Sequence, residues 1–189
     1  MESFRTISVG SLPAGSSVTF QKSSFFLRNG KHAAFPTPSE ILATSVAQTP
    51  SNGLFTAAPS TLAFENLGLL VKFGREPVVN IAEGQCLWMI QPAVPGIPVP
   101  EIYGWTQEGD LTFLFMELVP GITLKSMWCS LSHSERTQIC TELRNMVRDM
   151  RRLRQEAGQS FIGTSIELLM KWSVADYLED SSIAIRSTM

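Results

Sequence analysis

The residue of this chain best suited to chemistry is a lysine in an unfavourable place. Lys72 interrupts Leu67-Gly68-Leu69-Leu70-Val71 and Phe73-Gly74, a nearly continuous apolar run of strand length that reads as a largely buried strand. An ammonium removed from water there is costly unless an acceptor meets it. A lone strand lysine more often snorkels its charge back to solvent, so what the chain brings beside Lys72 decides its role. Glu83 lies on the helical segment that follows, and a second apolar run, Leu111–Leu118, carries Met116 and Glu117 near its end with Val119 just beyond. Cys86, Cys129 and Cys140 are odd in number and lack metal-ligand spacing, which reads as reduced thiols rather than a disulfide framework. No metal ligand and no catalytic residue is assigned.

The pattern predicts a strand over about Leu67–Phe73, a helix over about Val78–Ile90 and an extended entry at Ile97-Pro98-Val99-Pro100, where each proline removes a donor. A β-hairpin follows over about Glu101–Leu118, turning at Gln107-Glu108-Gly109-Asp110. Ile122–Trp128 reads as a short helix, and Ser132-His133-Ser134-Glu135 as a capping box. The box opens a long helix over about Ser134–Gln155, whose stripe is Ile139, Leu143, Met146, Val147, Met150 and Leu153. Residues 1–60, rich in Ser, Thr, Ala, Gly and Pro, read as a mostly disordered extension. Two islands in it carry structure: Val18–Leu27 with Phe20, Phe25 and Phe26, and a short helix begun at Pro38-Ser39-Glu40 with Ser39 as N-cap. Packing of these islands on the folded part is the favoured expectation.

Taken in order, Leu70-Val71-Lys72-Phe73-Gly74, Ile81-Ala82-Glu83-Gly84-Gln85-Cys86-Leu87, Ile97 to Trp105, Met116-Glu117-Leu118-Val119-Pro120-Gly121 and Phe161-Ile162-Gly163 resemble the protein-kinase-like fold. The likeness is closest to the fungal branch of the aminoglycoside phosphotransferase family. It implies an α+β, partial protein-kinase-like fold: an antiparallel N-lobe sheet with one helix and a hinge over 61–121, the start of a helical C-lobe over 122–164, and a divergent tail over 165–189. It implies that Lys72 pairs with Glu83 and reaches nucleotide phosphates. Met116 would be the gatekeeper, with the Glu117 carbonyl and the Val119 amide facing an adenine base. The implied cofactor is ATP, bound weakly.

The same resemblance exposes what is missing. The family positions the attacking hydroxyl and Mg²⁺ with a His-Gly-Asp-x-x-x-x-Asn loop and a later Asp. Here His32 precedes Ala33-Ala34, His133 precedes Ser134-Glu135, and Gly109-Asp110-Leu111 precedes the hinge with Phe115 where the Asn belongs. Asp110 is therefore read as a turn residue, and Mg²⁺ is not expected to be held by this chain alone. The expected function is a catalytically incompetent fragment or pseudokinase of the family, truncated before its catalytic loop. An active small-molecule phosphotransferase and a non-catalytic interaction module are the alternatives; the acceptor stays open.

A length of 189 residues, a formal charge of -2, 44% hydrophobic and 17% charged residues describe a globular chain able to bury a core. The six arginines between Arg136 and Arg154 alternate with Glu142 and Asp149, so no basic patch speaks for nucleic acid. No apolar run approaches the ~20 residues of a membrane span. A cytoplasmic protein without a membrane partner is the expectation.

Overall fold

The computed structural model describes residues 5–7, 9–48 and 59–155. In chain order its elements are β1 (Arg5–Ile7), β2 (Ser17–Thr19), α1 (Ser24–Asn29), α2 (Pro38–Gln48), β3 (Ser60–Phe64), β4 (Leu69–Arg75), α3 (Ile81–Ala93), β5 (Ile102–Glu108), β6 (Leu111–Glu117), α4 (Leu124–Met127), α5 (His133–Met150) and β7 (Leu153–Gln155). The fold is mixed α+β. It divides into two compact units, one formed by Pro13–Trp88 with Pro100–Leu118, the other by the described parts of Met1–Leu12, Met89–Val99 and Val119–Met189.

The first unit is built on a five-stranded sheet in the order β2-β5-β6-β4-β3, antiparallel throughout. β4 and β6 are the apolar runs of the sequence, and both are buried along most of their length, as strands enclosed on two faces must be. β5 and β6 form the expected hairpin, closed by Gly109-Asp110 with Gly109 at φ +61°. Asp110 pairs with Arg75 at 2.7 Å across the exposed turn. A bulge in β5 inserts Tyr103 between the pairs Ile102↔Met116 and Gly104↔Phe115.

Side-chain alternation gives the sheet two apolar faces. Leu69, Val71, Phe73, Phe113, Phe115, Leu62 and Tyr103 form one, and it is covered by Phe25, Phe26 and Ile41 from α1 and α2. Phe35 lies flat on Phe115, with centroids 4.4 Å apart and planes 7° off parallel. Leu70, Leu114, Met116, Ile102 and Trp105 form the other, where Val79 and α3 pack.

The two islands pack on the sheet as expected, and the expectation of disorder over 1–60 is corrected for the rest of residues 9–48. The aromatics of this segment close a face of the sheet that would otherwise be open, and Phe25 and Ile41 are fully buried. The helix start is corrected as well: Thr37, not Ser39, caps α2. Pro38 then takes the first helical position, where its missing N–H costs nothing, and Glu40 receives the Thr37 N–H and hydroxyl at 2.7 Å each. Those two bonds hold the Glu40 carboxyl below its ordinary range. Residues 49–58, and 156–189 with Phe161-Ile162-Gly163 and the weaker pattern of 165–189, lie outside the described residues.

Two boundaries move for local reasons. A single 3-10 turn at Glu65–Leu67 and a left-handed Gly68 occupy the expected start of β4. Val78 and Val79 donate to the Arg75 carbonyl in a turn, so α3 begins only after Asn80, whose side chain accepts the Glu83 N–H at 3.1 Å.

In the second unit, Thr123 caps α4 and the Ser132–Glu135 capping box opens α5 as its sequence dictates. The long helix is shorter than expected. It ends at Met150, and Leu153 leaves the stripe to pair in β7, parallel with Arg5 of β1. Periodicity carried the stripe past Met150 because the partner that captures Leu153 is remote in sequence. Ile139, Leu143, Met146, Val147 and Met150 are each half-buried. No helix among the described residues is long and apolar enough to cross a membrane.

One buried polar atom in the sheet lacks a partner. Thr112 is fully buried on β6, and its hydroxyl makes no hydrogen bond. Thr112→Val keeps the β-branched shape and removes the unpaired hydroxyl, so it is expected to stabilise the chain by about 1 kcal/mol. A lower urea midpoint for the variant would show that the hydroxyl is satisfied in solution.

Candidate functional site

β4 sets Lys72 between the buried residues Val71 and Phe73, and alternation turns its side chain to the face that α3 covers. Its side chain is almost sealed, at 3% exposure, and Nζ donates to Glu83 Oε1 at 2.8 Å. Glu83 is 18% exposed. The short contact follows from three local features. Asn80 caps the helix and makes Glu83 its third residue, which fixes the azimuth of the carboxylate. Val78, Val79 and Ile81 bury the helix start against the sheet face.

Gly84 then lets α3 lie close to the strands. A Cβ there would stand 2.9 Å from Trp105 Cε3 and 3.3 Å from Leu114 Cδ2. Gly84→Ala gains ~1 kcal/mol of helix propensity but loses ~1–3 kcal/mol to overpacking against an indole with little room to yield. A net loss of about 1 kcal/mol is expected. An unchanged or raised melting temperature would mean that Trp105 moves freely.

The N-terminal segment also reaches this face. Phe20 stacks on Trp88 at 6.2 Å and meets Trp105 edge-on at 5.6 Å. The Trp105 indole N–H donates to the Gly15 carbonyl at 3.0 Å, and the Gln85 amide to the Pro13 carbonyl at 2.8 Å. A chain segment rich in small residues therefore satisfies the polar atoms of the face around the ion pair.

Of the residues singled out in the sequence, Lys72 and Glu83 come together directly. Met116 shares their face, because Leu70 pairs with Met116 and Lys72 with Leu114 across β4 and β6. Met116 is buried in the core of that face. Glu117 closes β6: its N–H donates to the Glu101 carbonyl at 2.8 Å and its carboxylate accepts the Glu101 N–H at 3.3 Å. One residue on, the Leu118 N–H donates to the Gly68 carbonyl at 3.1 Å. Val119 is half-buried and belongs to the second unit.

The sequence reading missed Asn80 and Gly84. Gly84 carried a signal, since an isolated glycine inside a helical pattern marks close approach of backbone to a neighbour. Among the described residues, no three His, Cys, Asp or Glu side chains converge as a metal site.

Comparisons with protein-family models, curated proteins and solved structures found no match to this chain.

Proposed function

We propose that the unit built from Pro13–Trp88 and Pro100–Leu118 is the nucleotide lobe of a protein-kinase-like phosphotransferase, akin to the aminoglycoside phosphotransferase family, and that this chain by itself holds ATP weakly without transferring its phosphate. The observation that carries the proposal is the 2.8 Å Lys72–Glu83 pair, made between a buried strand and the helix that follows it. In kinases an ion pair of this kind positions the lysine on the nucleotide phosphates. Antiparallel pairing of the lysine strand with the strand that runs into Glu117-Leu118-Val119 supports the same assignment.

The residues present fit ATP in part. Lys72 supplies a cation for phosphate oxygens, and the hinge supplies backbone groups for a base. The family holds Mg²⁺ with a His-Gly-Asp-x-x-x-x-Asn loop and a later Asp, and no such run occurs in the sequence. Electrostatic stabilisation carries most of phosphoryl transfer, and Lys72 alone supplies little of it.

A second reading has its own support. At 3% exposure Lys72 has little open surface for a phosphate to approach, which suits an interaction module in which the pair is purely structural. Titration separates the two readings. Trp88 and Trp105 line the face of the pair, so tryptophan emission is expected to report saturable ATP binding, with or without Mg²⁺, and no ADP release above buffer. Absence of saturation up to millimolar ATP would sink the nucleotide-lobe reading; steady turnover would replace it with an active phosphotransferase.

A further inference from the structure

The end of β6 is gripped from both sides by the same short helix. On the β5 side, the Ser24 N–H donates to the Glu101 carboxylate at 3.2 and 3.3 Å. The Glu101 backbone in turn holds Glu117 through two hydrogen bonds, its carbonyl taking the Glu117 N–H and its N–H reaching the Glu117 carboxylate. On the β4 side, Arg28 spreads its guanidinium over three acceptors: Ser24 Oγ at 2.9 Å, Tyr103 Oη at 2.8 Å and the Gly68 carbonyl at 3.4 Å. That carbonyl is the one that accepts the Leu118 N–H.

A carbonyl oxygen has two lone pairs, so Gly68 can serve Leu118 and Arg28 together. Gly68 is left-handed at φ +58°, and the space a Cβ would take there ends 3.0 Å from Arg28 Nη2. The guanidinium also lies 5.8 Å from the centroid of the Tyr103 ring, on the bulged residue of β5. A planar fork with five donors can hold these acceptors at fixed angles, and a single ammonium cannot.

We infer that Arg28 is a positioning residue for the hinge: through the Gly68 carbonyl it fixes the Leu118 peptide, and α1 as a whole clamps the exit of β6. Its consequence for ligand binding rests on the nucleotide-lobe reading, in which the peptides after Met116 face the base. A helix that begins inside the Val18–Leu27 island thereby sets the geometry of a site to which it donates no ligand.

The test compares the full-length chain with Arg28→Leu and Arg28→Lys by amide hydrogen exchange and by ATP titration. In Arg28→Leu the Leu118 amide is expected to exchange about tenfold faster while Val71 and Phe113, inside the β4–β6 ladder, keep their rates. ATP affinity falls by roughly threefold to tenfold, the worth of one ordinary hydrogen bond. Arg28→Lys restores part of both effects if it is the donor to Gly68 that matters. Unchanged Leu118 exchange would overturn the inference, and so would equal acceleration at all three amides, which reports general destabilisation. If the unaltered chain binds no ATP, the nucleotide-lobe reading fails by itself, and Leu118 exchange still decides the clamp.

Discussion

Phe25→Ala is expected to cost about 3–5 kcal/mol of stability, the range for emptying a fully buried phenylalanine site. Phe25 has no exposed surface, and its ring lies 5.0 Å from Phe26, 4.8 Å from Phe35 and 5.6 Å from Tyr103. Those neighbours are aromatic and mutually packed, so they cannot collapse into the space, and the cavity term adds to the lost transfer energy. Against a total stability of ~5–15 kcal/mol, a loss of this size is a large part of the whole. Leu27, two positions on in the same helix, is 80% exposed. Leu27→Ala is expected to stay within about 0.5 kcal/mol of the unaltered chain. Urea melts of the two variants decide the status of the N-terminal segment. Equal midpoints would make it an attachment to the sheet rather than part of its core.

Of that segment only two islands were legible, without their targets, and the reason is physical. Phe20, Phe25, Phe26 and Phe35 follow neither a strand nor a helix period, because each packs on a different target: Phe20 on Trp88 and Trp105, Phe25 on Tyr103, Phe35 on Phe115. Burial created by fold-back leaves no periodic trace. Leu69–Phe73 and Leu111–Met116 were legible because a strand enclosed on both faces must be apolar at nearly every position. The capping box of α5 is a local device and needed nothing distant. The end of α5 was not legible, since Leu153 answers to Arg5.

The candidate site divides in the same way. A lysine inside an apolar strand demands a partner, so the Lys72–Glu83 pair could be expected from the sequence, where Glu83 lies on the helical segment that follows. Asn80, Gly84 and Arg28, which set the depth and azimuth of α3 and the exit of β6, act through contacts that only the folded chain assembles.

The ion pair supports an asymmetric prediction. Removing one member of a buried pair is destabilising by ~3–5 kcal/mol because it leaves the other charge out of water, and the two members are not equally out of water here. Glu83→Gln puts an amide oxygen in place of the carboxylate that meets a lysine side chain at 3% exposure. A loss of about 3 kcal/mol is expected, the low end because the amide still accepts a hydrogen bond. Lys72→Met replaces the buried ammonium with an apolar chain of similar length, and the carboxylate it leaves is 18% exposed and nearer to solvent. That change is expected to cost about 1 kcal/mol or less, as apolar replacements of buried ions often do. The same variant is expected to weaken ATP binding by roughly tenfold to a hundredfold, the worth of a charge-assisted hydrogen bond. The milder lesion to the fold would thus be the more damaging to the ligand, so loss of binding in Lys72→Met could not be put down to unfolding. Should Lys72→Met prove the less stable of the two, burial would not govern the pair. Should it keep full ATP affinity, Lys72 would have no part in nucleotide binding and the pair would be a strut between strand and helix.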